Sequence, residues 1–293
     1  MRFDLLSLRL FVAVCEQQSI ARAAESEHIA ASALSKRISD LEDHLKATLF
    51  LRTPKGLELT PPGYSLLHHA RVVMRDLTQM ESELSNHALG LCGQVRIYAN
   101  ASAIVQHLPR DLGEFMSQHK AVRVELEQAT SQEIVRAVAE NAADIGIFGG
   151  VRPMAGLRIL PYRSDKLVVL TPVGHPLSDR ASVKFGEVVE FDLVGPQKGS
   201  FLDSLVQRAA ADIEHALNLR LRVNGFESVC SMVAANLGVG LVPEECAKQY
   251  VATRPVVSVP LDEPWATRAW KICVRDSTSS PQVVQLLLEH LST

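Results

Sequence analysis

Between residues 31 and 45 the apolar positions recur at spacings of four, three and four. Leu34, Ile38, Leu41 and Leu45 form one stripe on a helix, and that stripe must be buried. Ser32, Ser35, Lys36 and Ser39 lie at i, i+3, i+4 and i+7 on another side, a face of small hydroxyls and one cation. Taken alone, such a face is most often a solvated surface. The flanking segments narrow the choice. Leu8, Phe11, Val12 and Cys15 make the stripe of an earlier helix, and Ser19 to Ala24 is a short Ala-rich segment opening on a hydroxyl. Phe50 to Thr60 reads as two strand-like pieces around a Pro54-Lys55-Gly56 turn. Three helices around one small core, closed by a basic hairpin, predict a winged helix-turn-helix over residues 1–60. Its hydroxyl face suits a DNA major groove. Arg22, Lys36, Arg37, Arg52 and Lys55 are the cations placed for phosphates or a groove edge.

Thr60-Pro61-Pro62-Gly63 has the hydroxyl cap and first-turn proline of a new helix. Leu66, Ala70, Val73, Leu77, Met80, Leu84 and His87 then alternate at four and three, a heptad seam that calls for a partner helix. Residues 61–89 are therefore expected to be a coiled-coil linker helix that pairs two copies of the chain, with Leu89 to Gly93 ending it. A single helix lying on its own domain is the alternative.

From Gln94 the period changes. Val95 to Ala99 reads as a strand, Ile104 to His119 as a helix and Val122 to Leu126 as a strand. Thr130 to Ala139 reads as a helix opened by a Thr130/Glu133 capping box, and Asp144 to Phe148 as a buried strand. Leu167 to Leu170 is a further strand before the Gly174-His175-Pro176-Leu177 turn. The cycle repeats with strand 192–194, helix 200–217, strand 219–223, helix 227–236 and strand 239–242. Alternating strands and helices imply α/β layers with parallel pairing.

Composition adds limits. With 293 residues the chain exceeds a three-helix module, and 47% hydrophobic with 22% charged is ordinary for a globular protein. The net charge of -3 gives no bulk support for nucleic-acid binding, and residues 1–60 carry eight cations and eight anions, so placement decides. No apolar run approaches the roughly 20 residues that span a bilayer, which predicts a cytoplasmic protein with no membrane partner. Cys15, Cys92, Cys230, Cys246 and Cys273 are scattered and odd in number, as reduced thiols are. A Cys230/Cys246 redox pair is the alternative to burial among their apolar neighbours.

The arrangement resembles the LysR-type transcriptional regulators. The resemblance rests on Ser19, Ala23-Ala24, Ala33-Leu34-Ser35-Lys36, Ile38, Leu41-Glu42, Leu49-Phe50, Arg52 and Leu59-Thr60. It continues at Leu108-Pro109, Asp144-Ile145-Gly146-Ile147, His175-Pro176-Leu177 and Val233 to Pro243. It covers essentially the whole chain. It implies an all-α winged helix-turn-helix, a linker helix and an α/β bilobed effector-binding domain (93–293) similar in fold to periplasmic solute-binding proteins. One half would hold about 93–162 and 266–293, the other about 163–265. The chain departs from the family pattern at Ala30-Ala31-Ser32, where Ser-Gln is usual. The change removes an N-cap and a side chain able to read adenine. Asn100 likewise replaces the common Ser.

In such α/β folds ligands bind beyond strand carboxyl ends, where helix amino termini point N–H groups into a crevice. Asn100, Ala101 and Ser102, then Thr130, then Lys198, Gly199 and Ser200 are the expected effector contacts, with Phe148 and Phe226 as apolar walls. They would suit a small anion such as a carboxylate, with Lys198 as counter-charge. Capping alone also explains Thr130 and Ser200, and core packing the phenylalanines. No phosphate loop, His-Glu-x-x-His or Gly-x-Ser-x-Gly occurs, and adjacent His68 and His69 make a poor metal pair, so neither enzyme, cofactor nor metal is expected. The expectation is a homodimer or homotetramer on double-stranded operator DNA, controlled by a small molecule, with RNA polymerase as a candidate partner. A constitutive or partner-controlled DNA-binding protein with a non-functional cleft is the alternative.

Overall fold

The structure, a computed structural model, describes residues 4–53, 56–89, 92–276 and 280–292, without the side chains of Arg52, Thr53, 75, 79 and 81–89. It divides into two units, residues 1–93 with 140–142, and residues 94–139 with 143–293.

The first unit opens with α1 (Leu5–Gln17), α2 (Ile20–Ser26) and α3 (Ala31–Leu45), then the antiparallel hairpin β1 (Phe50–Thr53) and β2 (Gly56–Leu59), then α4 (Pro61–Leu89). The stripe residues Leu34, Ile38 and Leu41 are buried against Phe11, Val14, Ala23 and Ala24. Asp4 caps α1 by accepting from the Ser7 amide at 2.8 Å, and Ser19 caps α2. Ala30, at the N-cap of α3, supplies no side-chain hydrogen bond. Thr60 opens α4, accepting from the Gly63 amide at 3.1 Å and donating to the Thr48 carbonyl at 2.6 Å.

The first turns of α4 depart from the expected seam. Ala70 is 1% exposed in the same core, with Leu67, and Leu66 packs on its edge. These positions close the helix-turn-helix core instead of waiting for a partner, because α4 packs along α1. Further along, Val73 and Met80 are exposed at 39% and 51%, and Leu77 is half-buried. The Leu84 side chain lies outside the described residues.

The second unit runs β3 (Gly93–Ala99), α5 (Ala101–Gln106), α6 (Leu108–Gln118), β4 (Val122–Gln128), α7 (Ser131–Ala139), β5 (Ile145–Phe148) and β6 (Leu157–Pro172). It continues through α8 (Phe185–Val188), β7 (Leu193–Gly195), α9 (Phe201–Asp212), β8 (Leu219–Arg222), α10 (Phe226–Ala234), β9 (Val239–Pro243) and α11 (Glu244–Val251). It ends with β10 (Val256–Pro260), β11 (Thr267–Arg275) and α12 (Gln282–Leu291). The sheet order is β4-β3-β5-β11-β6-β9-β7-β8, with β10 also on β6. β3–β5, β7–β8 and β7–β9 pair in parallel. The long β6 belongs to both halves: Leu157 to Lys166 pairs with β11, and Leu167 to Pro172 with β9 and β10. A buried Arg268–Asp165 ion pair ties the two crossing strands together, and Gln106 of α5 donates to the same carboxylate at 2.7 Å.

Three expected elements differ in extent. The single helix 104–119 is two, broken at His107, because Pro109 in the first turn of α6 cannot continue a preceding helix. The helix from Ser200 stops at Asp212, with Glu214 in the left-handed region at φ 55°. The strand at 167–170 begins ten residues earlier, at Leu157, where Pro161 and four charged side chains hide the strand pattern.

Candidate functional site

On α3, Ser32, Lys36 and Ser39 are exposed and Ser35 is half-buried, so the hydroxyl face is free of the core. Arg22, also exposed, sends its guanidinium to the Gln17 carbonyl. Arg37 does not join that face. Its Nη1 donates to Ser7 Oγ at 3.0 Å and stands 3.5 Å from Asp4, since one residue's advance on the helix turns it toward the amino end of α1. The Arg52 side chain and Lys55 lie outside the described residues.

In the second unit, β3, β4, β7 and β8 end at a common cleft enclosing about 260 Å³. Helices begin there from both halves of the sheet: α5 at Asn100, α7 at Thr130-Ser131, α9 at Ser200 and α10 at Gly225. Asn100, Ala101, Ser102, Thr130, Lys198, Ser200 and Phe226 all line it, as the sequence pattern leads one to expect. Two of the expected contacts do not. Phe148 is fully buried in β5 among strands on either side, a core residue with no access to the cleft. The Gly199 amide donates to Asp203 Oδ2 at 2.9 Å, and Gly199 borders a neighbouring pocket with Gly150 and Arg208.

Other expected donors are partly committed. Thr130 Oγ1 donates to Glu133 Oε2 at 2.7 Å, and the Thr130 amide donates to the same oxygen at 2.8 Å. These two bonds, the backbone one foremost, hold the Glu133 carboxyl below its ordinary pKa, so it stays an anion at the rim. Asn100 and Ser200 cap α5 and α9 and line the cleft as well. Lys198 is exposed at the mouth.

Trp270, 1% exposed, lines the cleft, and sequence reasoning missed it. It stands edge-on to Phe201 at 5.5 Å between ring centroids, and the Arg268 guanidinium lies 4.9 Å from its centre. It comes from β11, more than forty residues beyond Phe226, the nearest cleft residue read from sequence, and only its place in an alternating strand signals it.

Cys230, Cys246 and Cys273 are buried, and burial pushes their thiols up to about 11, 12 and 12. Such thiols remain protonated and unreactive at neutral pH. No group of metal-ligating side chains is found among the described residues, nor any helix long and apolar enough to cross a membrane.

A regulatory helix-turn-helix followed by a bilobed α/β binding domain defines a class of transcription factor, and comparison with known proteins agrees. Residues 5–64 match the bacterial regulatory helix-turn-helix protein, lysR family, and residues 88–293 match the LysR substrate binding domain. The chain belongs to the LysR family and is a DNA-binding transcriptional regulator with a substrate-binding domain. The RuBisCO operon transcriptional regulator of Allochromatium vinosum is 26% identical over 275 residues, covering 94% of this chain and 91% of the relative. Among solved structures, a full-length OxyR variant from Pseudomonas aeruginosa superposes with a TM-score of 0.72 at 21% identity, covering 99% of this chain and 95% of that one. Full-length CbnR complexed with its target DNA gives 0.67 at 19% identity, covering 99% of each chain.

Proposed function

We propose that this regulator is ligand-responsive: a small anion, of which a carboxylate is the simplest form, binds in the cleft and alters the binding of a homo-oligomer to operator DNA. The observation that carries this reading is the convergence of helix amino termini from both halves of the sheet on one cleft. There, the positive dipole ends of the helices favour negative charge. Lys198 adds a cation at the mouth, and Phe226 gives an apolar wall. Ser32, Ser35, Lys36 and Ser39 read the major groove, with Arg22, Arg52 and Lys55 on phosphates. Ala31 stands where relatives carry Gln, so base preference differs from theirs. Val73, Leu77, Met80 and Leu84 pair α4 with its copy, in a dimer or a tetramer, and two recognition helices then meet two half-sites.

Fluorescence anisotropy on the DNA upstream of the protein's own gene tests the output end. Lys36→Ala and Arg52→Ala are expected each to weaken binding about tenfold or more at low salt and to flatten its salt dependence. Variants indistinguishable from wild type would remove this face from the interface.

A further inference from the structure

Resting on the reading that the cleft holds the effector, we infer that it selects a carboxylate whose neighbouring group accepts hydrogen bonds, an α-keto acid in preference to the α-amino acid of the same skeleton. The argument is the direction of the hydrogen bonds. Around the cleft, three neutral polar side chains have their acceptor atoms occupied by backbone amides, while the buried Ser102 hydroxyl can donate or accept and does not set the polarity. Asn100 Oδ1 accepts from the Ala103 amide at 3.0 Å, Ser131 Oγ from the Gly149 amide at 3.3 Å, and Ser200 Oγ from the Asp203 amide at 3.1 Å.

Their donor halves are left over. Asn100 Nδ2 and Trp270 Nε1 are buried without a partner, on residues 7% and 1% exposed. The Ser131 and Ser200 hydroxyl hydrogens meet no acceptor among the described residues. Both orphan nitrogens belong to residues that line the cleft. Asn100 closes one half of the sheet and Trp270 lies on a crossing strand, so the surplus of donors is not the by-product of one helix end. A buried donor without an acceptor costs free energy, and a ligand oxygen removes that cost.

An ammonium group meets the opposite situation. It brings three donors and no acceptor to a cleft wall where the acceptor atoms of Asn100, Ser131 and Ser200 are taken. Among the lining residues the one carboxylate is Glu133, at the exposed rim, with Oε2 already holding both Thr130 donors. Gln128 and Gln197 are exposed and can present either end of their amides, so they do not set the polarity. Sites built to satisfy one hydrogen-bond pattern reject the analogue that breaks it far more strongly than they sense a methylene.

The test is calorimetric titration of the full-length protein with matched pairs: pyruvate and L-alanine, 4-methyl-2-oxopentanoate and L-leucine, phenylpyruvate and L-phenylalanine, 2-oxoglutarate and L-glutamate. At least one keto acid is expected to bind about tenfold or more tighter than its amino acid. Asn100→Asp keeps the capping oxygen and exchanges the free donor for an acceptor. It should abolish the preference, and Trp270→Phe should weaken keto-acid binding while retaining a ring. An amino acid that binds as tightly as its keto acid overturns the inference and leaves the ligand-binding cleft standing. Failure of every keto acid to bind at millimolar concentration also overturns it, as does an unchanged preference in folded Asn100→Asp. If a keto acid binds as expected but leaves operator affinity unchanged, the cleft chemistry holds and the ligand-responsive reading fails.

Discussion

Asp144 is the residue on which burial and charge are most directly opposed. Its side chain is 6% exposed, and burial alone would raise its pKa. The hydrogen bonds and charge of Arg96, with Arg275 at 3.5 Å, outweigh that and hold the carboxyl below its ordinary 3.8. A carboxyl depressed in the folded state contributes stability that is fully present above the unfolded pKa and is lost as pH falls through the folded one. The contribution of Asp144 is therefore expected to be level through neutral pH and to be lost below about pH 4. In urea denaturation at pH 7, Asp144→Ala should cost about 3–5 kcal/mol, since two arginines are left facing an apolar side chain; a loss under about 1 kcal/mol would refute the ion-pair account. At the opposite extreme, Ala30 caps α3 with nothing, and Ala30→Ser should stabilise the chain by about 0.5–2 kcal/mol. That missing cap was legible in the sequence, because capping is a local relation. Arg37 was not: its partners Asp4 and Ser7 are about thirty residues away, and sequence spacing says nothing about which neighbour a helix turns a given cation toward.

At the scale of elements, Phe201 at the start of α9 packs over Gly149 and Gly150, beside Trp270. Gly150 has φ 72°, and a Cβ added there would overlap the Phe201 ring. Gly150→Ala should cost about 1–3 kcal/mol, from left-handed backbone and displaced ring together. The tryptophan emission should shift as the ring leaves Trp270. Combining it with Phe201→Ala should cost less than the two changes summed, because the clash is then relieved; simple additivity would place the strain elsewhere. The helices and strands whose apolar pattern is local, such as α3, α7 and β5, could be read from the sequence nearly to their ends. β6 and β11 could not. Their residues include Pro161, Arg163, Asp165 and Arg268, and what makes them strands is pairing with each other across a hundred residues. Trp270 was lost with them, and with it a buried indole N–H without a partner. α4 shows a different failure: one heptad pattern runs through two environments, its first turns filling the helix-turn-helix core and Val73 and Met80 lying exposed.

For the whole molecule, the proposed pairing through the exposed positions of α4 makes a prediction about assembly. Met80 is 51% exposed, so Met80→Glu should leave the fold intact and shift sedimentation from dimer or tetramer toward monomer. A variant that sediments as wild type would argue against pairing through this helix. Such an assembly also sets what the operator must look like, since a symmetric pair of α3 helices contacts two half-sites with centres one helical turn, or a multiple of it, apart. The most direct test of a dimeric DNA-binding regulator is a footprint of the full-length protein on the DNA upstream of its own gene. The account predicts two protected half-sites of related sequence on one face of the duplex, both lost together in Met80→Glu and in Lys36→Ala. Protection of a single isolated half-site that survives in Met80→Glu, or no protection at all, would contradict it.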